Sequence, residues 1–325
     1  MRVDLAAAYG IVKTLALLVL LGSYAGAQVS PASHGQDTEA YRLSVDVNLV
    51  VLHATVRDRE GRFAAGLGAQ DFEVYEEGVR QSIRLFQHED VAVTVGLVVD
   101  HSVSMHPKLA EVTTAAESFV HFSNPDDEMF VVNFNELVSL GLPGAFRFSH
   151  DSTELGAAIW RFPANGQTAL YDAIVKALER LQEGRNDKKV LLIISDGGDN
   201  ASVHKLAQVT ELAGRSTAVI YTVGLFDLND PDQNPGMLHR LAQATGGEAF
   251  LPGQLDEVVD ICERIAREIR NQYTIGYVPA TPVRNGAHRT IRVVARAVGR
   301  GRLFVRTRTG YIAGGEGAAK NGVPK

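Results

Sequence analysis

The stretch VAVTVGLVVDHSVS, residues 91–104, decides the fold. Its first nine residues are almost wholly apolar, a pattern typical of a β-strand that is covered on both faces inside a parallel sheet. A polar loop follows at once, with Asp100, Ser102 and Ser104 at alternate positions. In open α/β sheets ligands bind just beyond the carboxyl ends of the strands, so this loop is the first candidate binding element.

Apolar strand patterns alternate with helical patterns on the carboxyl-terminal side of this stretch. The strand patterns lie at 129–134, 190–194, 219–225 and 248–251, and the helical patterns lie at 109–122, 170–181, 238–244 and 255–269. Strands and helices that alternate at these lengths predict an α/β fold with a doubly wound, mostly parallel sheet over residues 91–270.

Shorter strand patterns separated by turns flank this α/β domain. Residues 41–88 predict a β-rich module. Residues 271–313 predict a second β-rich module, which includes one strand at 303–309 and is expected to pair with the first module. The polar residues 28–40 are expected to form a linker, and residues 314–325 a disordered tail.

Residues 1–27 have the pattern of a cleavable signal peptide. Arg2 and Lys13 supply positive charge, an apolar run covers residues 15–21, and small residues precede an expected cut between Ala27 and Gln28. The run is too short for a transmembrane helix, and no later segment approaches the length of one. We therefore expect a secreted or periplasmic protein with no transmembrane span in the mature chain.

The charge is unevenly distributed along the chain. The net charge of -6 gives no case for nucleic-acid binding. From residue 273 onward, however, ten Lys or Arg side chains face a single acid, Glu316. The favoured interpretation is an arginine-bearing, solvated sheet face that docks on the acidic remainder of the chain. The alternative is contact between this Arg-rich tail and an anionic surface, such as lipid headgroups or an acidic polymer.

The chain contains one cysteine, Cys262. An intramolecular disulfide is therefore impossible, and a cluster of thiolate metal ligands is excluded. Cys262 lies in the helical pattern of residues 255–269, where it is expected to pack as a small apolar side chain.

Three polar clusters fall at the expected carboxyl ends of the strands. Asp100, Ser102 and Ser104 follow the first strand, Thr168 precedes a helix, and Asp196 follows the strand at 190–194. Two carboxylates and three hydroxyls are hard oxygen ligands that suit Mg²⁺, Mn²⁺ or Ca²⁺. Because two carboxylates only just balance a divalent cation, the ion would still attract an Asp or Glu side chain from a protein partner.

The motifs DHSVS, GQTALYDAI and LLIISDGGDN, in this order, resemble those of the von Willebrand factor type A domain with its metal-ion-dependent adhesion site. The resemblance covers about residues 91–270, and all five ligand positions of that site are matched. It implies Mg²⁺ as the metal and a partner carboxylate as the ligand. The flanking segments, including YTIGYVPA, are similar to a subgroup of secreted bacterial, acidobacterial-like proteins of this type.

Two sets of residues beside the predicted metal ligands leave alternatives open. His101 and His106 invite a hydrolase in which Ser102 or Ser104 is the nucleophile, but no Gly-x-Ser-x-Gly elbow is present. Asp199 and Asn200 either donate or accept hydrogen bonds behind the site or simply form a turn, and the turn is favoured. His101, Asp199 and Asn200 are therefore kept as candidate rim or supporting residues.

Two further features are expected to be structural. The acidic segment 227–234 fails the EF-hand pattern and is expected to be a surface turn. Trp160, Phe162 and Tyr171 are near enough to Thr168 to contact a partner, but core packing is the default expectation for aromatic residues so placed.

The sequence thus predicts a non-enzymatic, exported protein that binds a protein partner through a divalent metal. Two alternatives remain, an envelope structural or assembly component with a purely structural metal, and a metal-assisted hydrolase.

Overall fold

The computed structural model describes residues 49–144, 147–226, 232–281 and 286–314. The predicted signal peptide and linker, the first part of the N-terminal β-rich module, residues 227–231 of the acidic segment and the tail from residue 315 lie outside the described residues. All the described residues belong to one compact unit of the chain, which begins at Asp46.

Six strands form the central sheet and six helices cover it. With four strands preceding them in the chain, the central strands are β5 (Val93–Asp100), β6 (Glu128–Phe134), β7 (Val138–Leu140), β8 (Lys188–Ser195), β9 (Val219–Gly224) and β10 (Ala249–Phe250). The helices are α1 (Leu109–Phe122), α2 (Ser152–Trp160), α3 (Leu170–Leu181), α4 (Leu206–Arg215), α5 (Pro235–Thr245) and α6 (Glu257–Arg270).

The strand order β10-β9-β8-β5-β6-β7 confirms the predicted doubly wound sheet. All neighbouring strands are parallel except β6 and β7. One group of helices packs α1 against α2 and α6, and the other packs α4 against α3 and α5. Every residue of β5, β8 and β9 is buried, as their apolar sequences require. The chain leaves β5 toward β6 on one side and later returns to β8 on the other, so the strand order reverses at β5.

The strands before and after the central domain pair with one another, as predicted. The first four strands are β1 (Val50–Arg57), β2 (Phe72–Glu76), β3 (Val79–Gln81) and β4 (Ile83–Gln87), and the last four are β11 (Tyr273–Tyr277), β12 (His288–Ala295), β13 (Phe304–Arg306) and β14 (Gly310–Ile312). They form two four-stranded sheets, ordered β13-β1-β11-β4 and β14-β12-β2-β3. Leu52, Val74, Tyr273 and Ile291 contribute to one apolar core that both sheets share. These eight strands are called the β unit below.

The predicted continuous strand at 303–309 is wrong. The chain is divided there into β13, which pairs with β1, and β14, which pairs with β12. Arg308 lies in the break and is almost fully buried. Its guanidinium donates to the backbone oxygens of Ser216, at 2.9 Å, and Ala213, at 3.4 Å, where α4 ends. At this break, the Arg308 side chain satisfies carbonyl groups that the end of a helix leaves without intrahelical partners.

In the described residues, three arginines of the arginine-rich segment, Arg289, Arg296 and Arg306, are paired with acids, in line with the favoured interpretation of its charge. Arg306 pairs with Glu248 at 3.0 Å and with Glu268, and both acids belong to the central domain. Within the β unit, Arg289 pairs with Glu76 at 3.0 Å. Contact of the remaining exposed arginines with an anionic surface stays a prediction. Cys262 is fully buried on α6, as predicted, and burial raises the pKa of its thiol to about 12.

A buried histidine makes the stability of the fold sensitive to acid. His53, on β1, is 8% exposed, and its Nδ1 lies 3.3 Å from Thr274 Oγ1. Burial, together with the charges of Lys188 and Arg308, lowers the pKa of His53 to about 3. The contribution of neutral His53 to the free energy of unfolding is therefore complete above pH 6.5, the pKa of His in the unfolded chain. It is lost as the pH falls toward 3, the pKa of His53 in the folded protein.

We expect the wild type to lose about 2 kcal/mol more of its free energy of unfolding between pH 7 and pH 5 than His53→Gln, which cannot be protonated in this range. Urea denaturation at both pH values measures the difference. Equal losses in the two proteins would show that His53 does not make this contribution.

Candidate metal site

The carboxyl ends of β5 and β8 place the two predicted carboxylate ligands side by side. The strands are parallel neighbours in which Val99 pairs with Ile194. Asp100 is the last residue of β5, and Asp196 directly follows β8. This is the point at which the strand order reverses, where open α/β sheets bind their ligands.

Four of the five predicted ligands form one chain of hydrogen bonds. Ser104 Oγ donates to Asp196 Oδ2 at 2.5 Å, and Ser102 Oγ lies 3.1 Å from Ser104 Oγ. The backbone N–H of Ser102 donates to Asp100 Oδ1 at 2.8 Å. Ser195 Oγ donates to the other Asp100 oxygen at 2.6 Å. The alternate positions of Asp-x-Ser-x-Ser thus link the loop after β5 to Asp196 through the two serine hydroxyls.

Thr168 lies on a third loop, which adjoins the other two. Its backbone N–H donates to Asn200 Oδ1 at 2.9 Å, and its carbonyl oxygen accepts from the N–H of Asn200 at 2.9 Å. On the other side of the loop, the Gly166 carbonyl accepts from the N–H of Val103 at 3.4 Å. The Thr168 loop is therefore held between the loops that carry Asp196 and Ser102.

Asp199 and Asn200 do more than form a turn. Asp199 Oδ1 accepts from the backbone N–H of Tyr171 at 3.0 Å and from Ser202 Oγ at 2.5 Å. Because Ala169, at the start of α3, provides no side-chain cap, Asp199 supplies one from a distant loop. Together with Asn200, it fixes the position of the Thr168 loop relative to Asp196.

The electrostatics of the site fit a divalent cation. Burial and the nearby Asp196 raise the pKa of Asp100 to about 6, although hydrogen bonds from Ser195 and Ser102 oppose the shift. A cation bound between the two carboxylates would relieve the repulsion between them. Among the described residues, no group of three or more His, Cys, Asp or Glu side chains is arranged to hold a metal. The ligands available here are two carboxylates and hydroxyl oxygens, a set suited to Mg²⁺.

Comparison with known proteins supports the fold of the central domain. Residues 95–198 match the family model described as von Willebrand factor type A domain. The centre of this chain has the fold of a von Willebrand factor type A domain. A domain of this family indicates a role in protein–protein interaction or adhesion.

Solved structures were found to be similar to this chain at low sequence identity. The structure described as von Willebrand factor type A from Catenulispora acidiphila is 14% identical, with 74% of this chain and 73% of that chain covered and a TM-score of 0.50. The von Willebrand factor domain of the type V pili tip protein Mfa5 from Porphyromonas gingivalis is 13% identical, with 60% and 99% covered and a TM-score of 0.47. A comparison with the sequences of curated proteins found no match.

His101 is a buried neighbour of the candidate site in the von Willebrand factor type A domain. Its Nε2 lies 3.1 Å from Asn133 Oδ1, and its ring packs edge-on against Phe162. Burial lowers the pKa of His101 to about 4, and neither ring nitrogen is hydrogen-bonded to Ser102 or Ser104. The pairing of a base with a serine nucleophile, which the hydrolase alternative requires, is therefore not formed by His101. His106 is exposed, as expected of a solvated loop residue.

The aromatic residues near Thr168 differ from one another in burial. Tyr171 and Phe162 are half-buried, and Tyr171 packs against the apolar core of the domain. Trp160 is 64% exposed at the last position of α2, so the expectation that it packs in the core is wrong. Its neighbours on the buried face of α2 are Leu155 and Ile159, and these side chains fill the core instead.

Two supporting residues were missed by the sequence analysis. Ser195 donates to Asp100, and its Oγ also accepts from the N–H of Gly197 at 3.0 Å. Asn133 contacts His101, and its Nδ2 donates to the carbonyl of Ala158 at 2.8 Å. Asn133 interrupts the apolar run of β6, and Ser195 directly follows the apolar run of β8. These polar residues next to buried apolar ones were the available signal, because buried polar groups need partners.

In the part of the chain that the structure describes, no helix has the length and apolarity needed to cross a membrane.

Proposed function

We propose that this chain is an exported protein whose von Willebrand factor type A domain binds Mg²⁺, or alternatively Mn²⁺ or Ca²⁺, and uses it to hold a carboxylate of a protein partner. The proposed ligands are Asp100, Ser102, Ser104, Thr168 and Asp196. When bound, the metal supplies a positive centre with a coordination position for an anionic oxygen. The signal-peptide pattern of residues 1–27 supports secretion or a periplasmic location.

The hydrogen-bonded chain from Asp100 through Ser102 and Ser104 to Asp196 is the observation that carries this proposal. It gathers oxygen ligands at the switch point of the sheet while using only two negative charges. A site with more carboxylates would satisfy the cation by itself, whereas this set leaves it able to attract an external acid.

A structural or envelope-assembly role is the second candidate. The ion pairs of Arg306 with Glu248 and Glu268 fasten the β unit to the central domain, as a scaffold would require. In that case the metal would stabilise the domain without contacting a partner, and partner binding would survive chelation. A metal-assisted hydrolase has less support because His101 is bonded to Asn133 rather than to a serine.

Isothermal titration calorimetry with Mg²⁺, followed by affinity capture from the native envelope fraction with and without EDTA, tests the proposal. We expect one Mg²⁺ per chain and EDTA-sensitive capture in the wild type. Asp196→Ala should lose both properties, because it removes one of the two charges and the acceptor of Ser104.

Asp126→Ala is the matched control, since Asp126 is exposed in the segment between α1 and β6 and should leave both properties intact. Capture that is equal in EDTA and in Mg²⁺ would favour the structural role. The absence of Mg²⁺ binding by the wild type would end the metal proposal.

A further inference from the structure

Most of the large apolar side chains with the highest exposure lie at the carboxyl end of the central sheet. In the described ranges, five of them are more than 60% exposed, namely Val103, Leu137, Trp160, Val203 and Val298. Only Val298 belongs to the β unit, where it follows β12. The other four lie in the loop after β5, in the turn after β6, at the end of α2 and in the loop after β8.

Val103, Leu137 and Val203, together called the apolar rim, stand on three loops next to the candidate metal site. Val103 lies between Ser102 and Ser104 and is 64% exposed. Leu137 is 66% exposed and lies two residues after Asn135. The carbonyl of Asn135 accepts from the N–H of Ala169 at 2.7 Å, and Ala169 directly follows Thr168.

Val203 is 86% exposed and lies in the loop that begins with Asp196 and contains Asn200. Two loops of the apolar rim therefore carry proposed ligands, and the loop of Leu137 contacts the loop that carries Thr168.

The backbone holds these side chains in place rather than leaving them on free loops. The N–H of Val103 donates to Gly166 O at 3.4 Å, and the N–H of Leu137 donates to Asn135 Oδ1 at 2.8 Å. The N–H of Val203 donates to Asp172 Oδ2 at 3.0 Å. A fixed apolar group loses little conformational entropy when a partner covers it, so it contributes efficiently to binding.

We propose that the partner presents its carboxylate among apolar side chains, which pack on the apolar rim while the acid reaches the metal. This inference rests on the proposed function and names the chemistry of the partner segment. A cation at the centre requires one acid, and the surrounding Val and Leu side chains favour apolar neighbours because covering them removes apolar surface from water. Such an arrangement matches protein interfaces, in which a few polar contacts lie within a buried apolar centre.

Two synthetic peptides of nine residues, capped at both ends and each with a single central Asp, test the proposal. One has Leu and Val on both sides of the Asp, and the other has Ser in the same positions. Fluorescence anisotropy of labelled peptides measures binding in Mg²⁺ and in EDTA. We expect the apolar peptide to bind about tenfold more tightly in Mg²⁺, and EDTA to abolish the binding of both.

The single tryptophan, Trp160, gives a second readout near the same surface. It is 64% exposed and lies two residues before Phe162, which contacts His101. Its emission should shift to shorter wavelength when the apolar peptide binds in Mg²⁺, and the shift should be smaller with the serine peptide at equal occupancy. Equal shifts at equal occupancy would contradict the proposed packing of the apolar flanks on this surface.

The triple variant Val103→Ser, Leu137→Ser, Val203→Ser should bind both peptides with affinities within about twofold of each other, while its Mg²⁺ affinity stays that of the wild type. Val298→Ser, which removes a still more exposed apolar side chain from the β unit, should keep the tenfold preference. A wild type that binds both peptides equally, or a triple variant that keeps the preference, would overturn the inference and leave the proposed function standing. If Mg²⁺ binds but neither peptide does, the carboxylate step of the proposed function fails, and this inference fails with it.

Discussion

Replacing Glu268 with alanine is expected to lower the free energy of unfolding by about 3–5 kcal/mol. The replacement leaves Arg57 and Arg306 without the buried acid that they share. Glu268 is fully buried on α6. Its carboxylate accepts from Arg57 at 2.7 Å, from Tyr221 at 2.8 Å and from Arg306. Burial alone would raise the pKa of Glu268, but the charge of Arg306, the hydrogen bond from Tyr221 and the contact with Arg57 together lower the pKa, so the charged form is the stable one.

Urea denaturation of Glu268→Ala and of Asp260→Ala measures this effect against a matched control. Asp260 is an exposed acid on the same helix, and its replacement should change the free energy of unfolding by less than about 0.5 kcal/mol. Since Arg57 belongs to β1 and Arg306 to β13, the loss should also loosen the β unit. Relative to the wild type, hydrogen exchange in Glu268→Ala should then increase more in β1 and β13 than in β5. A loss below about 1 kcal/mol would mean that the arginines find water or other partners.

The central fold could be predicted because its strands are buried on both faces. Runs such as residues 129–134 and 190–194 have no polar face, and a parallel sheet covered by helices explains them. The helices α1 and α3 were predicted with the bounds that the structure gives. By contrast, α2 and α4 were not assigned, since each buries only a few side chains and α2 contains small residues such as Gly156 and Ala158.

The role of Glu268 could not be predicted from the sequence. In REIR, residues 267–270, it resembles the charged side chains that helices present to solvent. Its burial depends on β1, which lies about 200 residues before α6, and on β13, which follows α6 in the chain. β1 carries Arg57 and β13 carries Arg306, and both arginines contact Glu268. A pattern within one helix contains no information about which distant strand covers it.

The candidate site was predicted in the opposite way, from three short motifs separated by long segments. The structure places the Asp100, Thr168 and Asp196 loops in contact, while their role in metal binding remains a proposal. The apolar rim was not predicted, because Val103 and Val203 are single apolar residues within polar loops. Their exposure depends on how the loops are fixed, for example by the bond from the N–H of Val203 to Asp172.

Asp100→Asn is expected to have opposite effects on metal binding and on stability. In Mg²⁺, the affinity should fall about 100-fold or more, because one of only two negative charges is removed from the site. In EDTA at pH 7, the free energy of unfolding should rise by about 2 kcal/mol. The native protein without metal must keep Asp100 ionised although it is buried beside Asp196, and this raises the pKa of Asp100 to about 6. Asparagine removes that cost and can still accept from the N–H of Ser102, although its Nδ2 cannot accept from Ser195, and this loss offsets part of the gain.

Asp127→Asn separates the effect of the site from the effect of burial. Asp127 is also a buried acid whose pKa is raised to about 6, chiefly by desolvation, but it accepts from Val93 and Asn124 at the amino ends of β5 and β6. The variant Asp127→Asn should leave the Mg²⁺ affinity unchanged. Thermal unfolding with and without Mg²⁺ measures how much the cation stabilises each protein. At a Mg²⁺ concentration 100 times the dissociation constant, the free energy of unfolding of the wild type should rise by about 2.7 kcal/mol. Asp127→Asn should gain the same amount, whereas Asp100→Asn should gain almost nothing at that concentration. If Mg²⁺ stabilised Asp100→Asn as much as the wild type, the cation would have to bind elsewhere. The gain in EDTA would then show only that the buried carboxylate of Asp100 lowers the free energy of unfolding.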